Sequence, residues 1–246
     1  MKVTSVVIVL LIILAMATTL LGLEKAGRAA RFTGRTYALT DPSLPITVAA
    51  GPEKVFALWK QQGVRGALLV HLGRDLHFSP VDKPDFETGA SSYPVVVPAA
   101  ALEYESALEA KNFLWLAMRT NIARQVVSVL PHDSFLDKIS LVKEAVQNGY
   151  LGVLTMDATT IVAHELGSQR VITDGYLPSL SEPVVLNIDA SMFESYSPTV
   201  LYTMLEKAGL RIMFLSCCLS EGNEMVSAKA RTSMTEFVQL VASHGK

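Results

Sequence analysis

The fold of this chain is decided by the stretch Glu182-Pro183-Val184-Val185-Leu186-Asn187-Ile188-Asp189-Ala190-Ser191-Met192-Phe193. Four of the six side chains from Val184 to Asp189 are aliphatic. They do not alternate with polar side chains, as they would in a strand with one solvent-exposed face. The pattern predicts a central strand that is covered on both faces and ends at Asp189. In open parallel sheets, ligands bind at that end because the strand ends and the adjoining loops form a crevice.

Further apolar runs along the chain alternate with helix patterns. The other predicted strands lie near residues 66–72, 125–130 and 211–217, and the predicted helices cover residues 52–62, 100–123, 135–148, 198–208 and 228–243. Short β-like pieces between residues 151 and 176 indicate an added strand pair. This alternation predicts an α/β fold over residues 51–246, as a three-layer, mostly parallel sheet with helices on both faces. Residues 25–50 are predicted to be a basic linker and an extended lead-in.

Composition limits the classes of protein to consider. The 246 residues are half hydrophobic and can bury one sizeable core. Residues 1–35 hold five basic residues and one acidic residue, so the remaining 16 basic and 22 acidic residues give the body a charge of -6. An acidic body disfavours nucleic acid as a partner. The two cysteines, Cys217 and Cys218, are adjacent in a strand pattern, and we expect them to be reduced and buried.

The N-terminus carries a long apolar segment. Residues 3–23 are nearly unbroken in apolar character, and about 20 residues are needed for a helix to cross a bilayer. The segment predicts an N-terminal transmembrane helix, and hence a single-pass anchor within residues 1–24 and a lipid bilayer as partner. The sequence Ala15-Met16-Ala17 resembles a cleavage site, so a removed signal peptide is the alternative.

The orientation of the anchor has two interpretations. Lys25, Arg28, Arg31 and Arg35 come directly after the segment, and the positive-inside rule would place the body in the cytoplasm. Short N-terminal segments of this form ordinarily export the chain that comes after them. We therefore expect the body to be periplasmic or extracellular.

Polar residues at the predicted strand ends are the candidates for chemistry. His71 and Asp189 end their strands, His132 comes just after a third, and His77 lies in the loop after His71. Imidazole nitrogen and carboxylate oxygen are the usual ligands of zinc and manganese, and a bound ion could activate water. His71, His77 and Asp189 are therefore candidate metal ligands, with His132 as a candidate acid or base.

Each of these residues has a structural alternative. Each histidine could be a hydrogen-bonded structural residue, and Asp189 could cap the turn after its strand by accepting backbone N–H groups. Asp133 is interpreted as a helix-entry residue. The chain has no Gly-x-Ser-x-Gly elbow, Walker loop, dinucleotide glycine triplet or Cys-x-x-Cys pair, so the common hydrolase, nucleotide and redox classes lose support.

Several of these segments, in their order along the chain, resemble a protein family. The strand ending at His71, the segment Asn112-Phe113-Leu114-Trp115, the strand from Val126 to Pro131 and the segment Asn187 to Phe193 are similar to an uncharacterised family related to arginases and deacetylases. The resemblance covers roughly residues 64 to 220 and implies a metal-binding motif of the type Asp-x-Asp. Here Asp189 matches the first acid, and Ser191 replaces the second.

Two functional classes are consistent with these observations. The first is a membrane-tethered α/β module without catalysis, which binds a protein or small molecule at the carboxyl edge of its sheet or on the long loop from Gly73 to Pro98. The second is a metal-dependent hydrolase of C–N bonds, as the resemblance implies. The sequence identifies neither the partner nor a cofactor.

Overall fold

The chain alternates between buried strands and amphipathic helices. This computed structural model describes residues 35–77, 108, 110–147, 153–156, 159–164, 168–173, 175, 177 and 180–244. The strands are β1 Ile46–Ala49, β2 Ala67–Leu72, β3 Ala123–Leu130, β4 Val153–Met156, β5 Thr160–His164, β6 Ser168–Thr173, β7 Val184–Asp189 and β8 Ile212–Cys218. The helices are α1 Pro52–Gln61, α2 Phe113–Arg119, α3 His132–Gln147, α4 Pro198–Ala208 and α5 Ala228–His244, and a 3-10 helix covers Ala190–Glu194.

The strands form one sheet in the order β1-β8-β7-β2-β3-β6-β5-β4. From β1 to β6 in this order all neighbours are parallel. Strand β5 runs antiparallel to both β6 and β4. The mostly parallel α/β sheet is thereby confirmed. Strands β5 and β6 are the strand pair expected between residues 151 and 176, and β4 is a further strand that the sequence did not predict.

Helices cover both faces of the sheet. On one face, α4 and α5 pack on side chains such as Val70 and Leu186 and complete a large apolar core. On the other face, α1 contacts β8, and α2 contacts β3. Strand β7 is an interior strand, and its neighbouring side chains Val185 and Leu186 have no exposed surface. The prediction of a strand covered on both faces is confirmed.

Local signals account for the start of α1 and for both ends of α4. Helix α1 begins at Pro52. Proline is favoured at the first helical position because the backbone N–H that it lacks would have no partner within the helix. The Ser197 side chain caps α4, and Gly209 ends it with a left-handed φ of 60°. Helix α3 begins earlier than its sequence predicts, at His132, with its first turn closed by the bond from the Phe135 N–H to the Pro131 carbonyl. Ser134 therefore lies inside the first turn.

The predicted helix over residues 100–123 is wrong at both of its described ends: residues 108 and 110–112 are not helical, and the helix begins at Phe113 and ends before residue 123. Helix α2 ends at Arg119, because Asn121 takes a positive φ of 58° and turns the chain directly into β3. Residues 100–107 and 109 lie outside the described residues. The polar pair Thr120-Asn121 is the signal in the sequence that the helix ends. Apolar residues at helical spacing lie on both sides of this pair, and the prediction therefore extended the helix beyond it.

The predicted lead-in contributes to the sheet. Tyr37 pairs with Ile212, and β1 pairs with β8 through the register Thr47 to Ser216. Leu39 and Leu44 are buried in the main core. These residues therefore belong to the compact unit Gly34–Lys246.

The two cysteines are free and buried, as the sequence predicts. Burial, together with the smaller effect of the neighbouring Asp189 charge, raises the pKa of Cys218 to about 12. Burial also raises the pKa of the Cys217 thiol. Both thiols are therefore protonated at neutral pH, and protonated thiols are poor nucleophiles.

No helix in the described part of the chain is both long and apolar enough to cross a membrane. The apolar segment of residues 3–23 lies outside the described residues. Most of the loop predicted from Gly73 to Pro98 also lies outside them.

Candidate ligand-binding site

The sheet has a switch in its winding direction between β2 and β7. These strands are neighbours, yet β2 leads to β3 on one side, and β7 leads to β8 on the other. The loops after β2 and β7 therefore diverge, and the carboxyl ends of these two strands are where an open α/β sheet is expected to form a ligand crevice. His71 and Asp189 lie at these ends, where the sequence places the ligand edge.

A row of polar residues crosses the sheet beneath this crevice. In the strand register His71 is opposite Ser128 on β3 and Asn187 on β7, and Asn187 is opposite Ser216 on β8. All of these residues are fully buried. Because residues in register share a face, the side chains meet on the face that α1 and α2 cover.

Hydrogen bonds connect most of this row. The Trp59 indole N–H donates to Ser216 Oγ at 3.3 Å. Ser216 Oγ donates to Asn187 Oδ1 at 2.7 Å, and the Asn187 side-chain amide lies 2.8 Å from His71 Nδ1. A buried amide and hydroxyl without partners would be costly, so the network fixes these side chains in place.

The network also determines the protonation of His71. With Asn187 Oδ1 accepting from Ser216, the Asn187 amide nitrogen donates, and His71 Nδ1 must accept. The single proton of the neutral ring is then on Nε2. Burial, with a smaller effect of the nearby His77, holds the pKa of His71 well below its usual range. His71 is therefore a neutral imidazole.

His77 lies against His71 and has the opposite tautomer. Its Nδ1 is 2.7 Å from the Ala110 carbonyl oxygen, which can only accept, so the His77 Nδ1 carries the proton. The two rings meet edge to face at 5.2 Å between centroids, and the Phe113 ring contacts both. Three buried polar atoms in this region have no hydrogen-bond partner: His71 Nε2, His77 Nε2 and Ser128 Oγ.

Asp189 holds the turn that comes directly after β7. One carboxylate oxygen accepts the Ser191 N–H at 2.8 Å, and the other accepts a hydrogen bond from Ser220 Oγ. The alternative prediction that Asp189 caps this turn is thereby confirmed. Gly73 lies between Asp189 and His71, and a Cβ added to it would be 2.7 Å from His71 Nε2 and 3.4 Å from Asp189 Cβ.

Arg74 joins the loops at the mouth of the crevice. Its backbone N–H donates to Ser191 Oγ at 3.1 Å, and its guanidinium donates to Ser195 Oγ at 2.6 Å. The guanidinium also pairs with Asp133 at 2.8 Å. Arg74 therefore connects the loop after β2 with the turn after β7 and with the first turn of α3. Asp133 is at the entry of its helix, as the sequence predicts.

The predicted site residues separate into two groups. His71, His77 and Asp189 lie around the end of β2, whereas His132 is an exposed residue at the start of α3. Within the described residues, no three His, Cys, Asp or Glu side chains form a group that could hold a metal ion. Each Asp189 oxygen accepts a hydrogen bond from a protein donor, and in the described part of the chain the two histidines form a pair without a third ligand.

Sequence reasoning missed three members of the polar row. Asn187, Ser216 and Ser128 each interrupt an apolar strand with one polar residue, and this interruption was the available signal. Only the strand register shows that the interruptions align, because the strands are far apart in the chain and pair out of order.

Comparisons with known proteins supply no relative for this site. No model of a known protein family matches the chain, and no curated protein matches it. The resemblance to the arginase and deacetylase relatives therefore remains a prediction from the sequence.

Proposed function

We propose that this protein is a membrane-tethered α/β binding module without catalysis, and that its ligand or partner binds in the crevice between the ends of β2 and β7. The body is proposed to be periplasmic or extracellular. Topology supports the location of the site, because the winding direction switches between β2 and β7.

The proposal of binding without catalysis depends on how the polar groups at the crevice are used. Both Asp189 oxygens accept hydrogen bonds from protein, and Arg74 forms three contacts to neighbouring loops. A general base or a metal ligand must present an accessible lone pair to the substrate or ion, whereas Asp189 is buried and each of its oxygens already accepts one hydrogen bond. These groups instead give the loops a fixed shape, which suits recognition.

The tether is proposed from the sequence of residues 3–23. An apolar segment of this length exposes a large hydrophobic surface in water, whereas in lipid a helix satisfies all of its own backbone hydrogen bonds. The basic linker after this segment, with Lys25, Arg28 and Arg31, would lie near the lipid headgroups.

Metal analysis of the full-length chain, purified in detergent, tests the proposal. We expect zinc and manganese to remain well below one ion per chain, even after incubation with either metal and removal of the excess. Stoichiometric metal that is lost in both Asp189→Ala and His77→Ala, and kept in His132→Ala, would overturn the non-catalytic interpretation.

A metal-dependent hydrolase of C–N bonds is the second candidate, and the unpartnered Nε2 atoms of His71 and His77 are the observation that favours it. The bond from His77 Nδ1 to a backbone carbonyl is typical of metal-binding histidines. His71 could present an Nε2 lone pair if the Asn187 amide were reversed, since Ser216 Oγ would then accept from Asn187 and donate to the Leu186 carbonyl at 3.3 Å.

The remaining residues fit a metal ion poorly. Asp189 is engaged with Ser191 and Ser220, and the uncharged Ser191 stands where the resemblance implies a second acid. A divalent cation there would meet one carboxylate, already hydrogen-bonded to protein donors, and no second acid to offset its charge. We therefore derive no reaction step through a metal.

A further inference from the structure

The two edges of the sheet carry opposite charge. The helices run back against the parallel strands, so the carboxyl ends of α1, α2 and α4 lie at the amino edge of the sheet. The exposed basic side chains at this edge are Arg35, Arg65, Arg119, Arg124, Lys207 and Arg211. Among the described residues, the exposed acids at the same edge are Glu182 and Glu206.

The carboxyl edge, where the crevice opens, has the reverse balance. Counting only the residues that the structure describes, its exposed acids are Glu53, Asp133, Asp137, Glu194, Glu221 and Glu224, and its exposed bases are Lys54, Lys111 and Lys229. The body is acidic overall, yet the amino edge of its sheet carries more exposed basic than acidic residues. We call this amino edge the basic edge.

Helix dipoles explain only part of this distribution. Basic residues are favoured in the last turn of a helix, which accounts for Arg119 and Lys207. Arg65 and Arg211 instead lie just before β2 and β8, where no helix end requires a positive charge, and Arg124 near the start of β3 pairs with Glu182. The basic edge is therefore more than a by-product of helix capping.

The predicted tether joins the domain at the basic edge. Tyr37 exchanges backbone hydrogen bonds with Ile212, the first residue of β8, and the Arg35 guanidinium lies 5.0 Å from the Tyr37 ring centre. Along the chain, the linker before Arg35 adds Lys25, Arg28 and Arg31. The basic residues thus continue from the linker onto the edge of the domain.

We propose that the basic edge docks on the anionic headgroups of the bilayer that holds the tether, so that the crevice faces away from the membrane. This inference rests on the proposed tether for its location. Basic residues close to an anionic surface are attracted to it, and each one multiplies the ratio of docked to undocked protein by about fivefold.

Full-length protein in vesicles tests this docking. A fluorophore is attached through Gln62→Cys at the basic edge or through Met225→Cys, which is 85% exposed in the loop after β8, while the native thiols are buried. Headgroup-quencher lipid is included in vesicles of phosphatidylcholine alone or of equal parts phosphatidylcholine and phosphatidylglycerol. Flotation with the vesicles is measured separately and reports the tether.

We expect the anionic vesicles to quench the label at position 62 and not the label at position 225. The double variant Arg65→Gln with Lys207→Gln should lower the docked ratio about twenty-five-fold. The matched variant Lys54→Gln with Lys229→Gln removes the same charge at the other edge and should leave it unchanged. High salt should abolish the quenching, because it screens exposed charges.

Equal quenching at position 62 in neutral and anionic vesicles would overturn the docking proposal, as would an equal loss in the two double variants. Failure to float with neutral vesicles would instead contradict the tether. In that case the docking proposal would still stand if the protein bound to anionic vesicles and only the label at position 62 was quenched.

Discussion

His71 and Asn187 are opposite each other on the neighbouring parallel strands β2 and β7, and the Asn187 side-chain amide lies 2.8 Å from His71 Nδ1. This contact joins the two strands that form the crevice. Ser216 holds Asn187 in turn, which keeps the imidazole in one orientation, and burial keeps it neutral. The role of Ser216 depends on this network, and the acid sensitivity of the fold depends on the burial of His71.

Stability should fall in mild acid because His71 is buried as a neutral ring. Its folded pKa lies below its unfolded pKa of about 6.5, so the unfolded chain binds the proton more readily. The contribution of His71 is fully present above about pH 6.5 and is lost as pH falls from there towards the folded pKa. The slope of unfolding free energy against pH that this one group contributes approaches about 1.4 kcal/mol per pH unit. Denaturant unfolding at a series of pH values measures it.

The control for this slope is the exposed His132. His71→Gln should flatten the dependence of unfolding free energy on pH, whatever its effect on absolute stability, whereas His132→Gln should leave it as in the unmodified chain. An unchanged slope in His71→Gln would show that the acid sensitivity arises elsewhere.

Replacing each of two serines of the polar row by alanine should cost very different amounts of unfolding free energy. Ser216→Ala leaves the Trp59 N–H and Asn187 Oδ1 without this partner, and it should cost about 1 to 3 kcal/mol of unfolding free energy. Ser128→Ala removes a buried hydroxyl that has no partner and should cost less than about 0.5 kcal/mol. Similar losses at both positions would contradict the hydrogen-bond network.

Gly73 should tolerate no side chain. In Gly73→Ala the new methyl would lie 2.7 Å from His71 Nε2, so the imidazole or the loop must move, and we expect a loss of about 1 to 3 kcal/mol. Gly175 has no atom within 4 Å of its added Cβ, and Gly175→Ala is the matched control with little expected change. Thermal unfolding of the two variants measures the difference, and a neutral Gly73→Ala would mean that the end of β2 is loosely packed.

The central position of β7 predicts that both of its faces are sensitive to truncation. Val185→Ala and Leu186→Ala should each cost about 2 to 4 kcal/mol, because both side chains are fully buried and each leaves a cavity. Denaturant titration gives both values. Losses below about 1 kcal/mol at both positions would contradict the burial of this strand.

The sequence predicts the fold because it depends on local patterns. The apolar run from Val184 to Asp189 defines an interior strand without reference to any other element, and Pro198 and Gly209 define α4 in the same way. The end of α2 was harder to predict, because the apolar spacing around Asn121 continues across the point where its positive φ turns the chain.

The site was predicted only in part, since it depends on pairing. The position of Asp189 at a ligand edge comes from its strand, and its role as a turn cap was one of the two interpretations available. The alignment of Ser128, His71, Asn187 and Ser216 depends on the strand order β8-β7-β2-β3. In this order, strands that are neighbours in the sheet do not follow one another in the order of the chain. No spacing within a single segment contains that information.

Membrane extraction of the full-length protein tests the tethered function most directly. Membranes from cells that express the chain are washed with alkaline carbonate, and the size of the retained protein is measured. Because residues 3–23 are long enough to span a bilayer, we predict that the intact chain stays in the membrane pellet and that protease added outside the inner membrane digests its body. A soluble product trimmed at Ala17 would contradict the tether and identify the segment as a cleaved signal peptide.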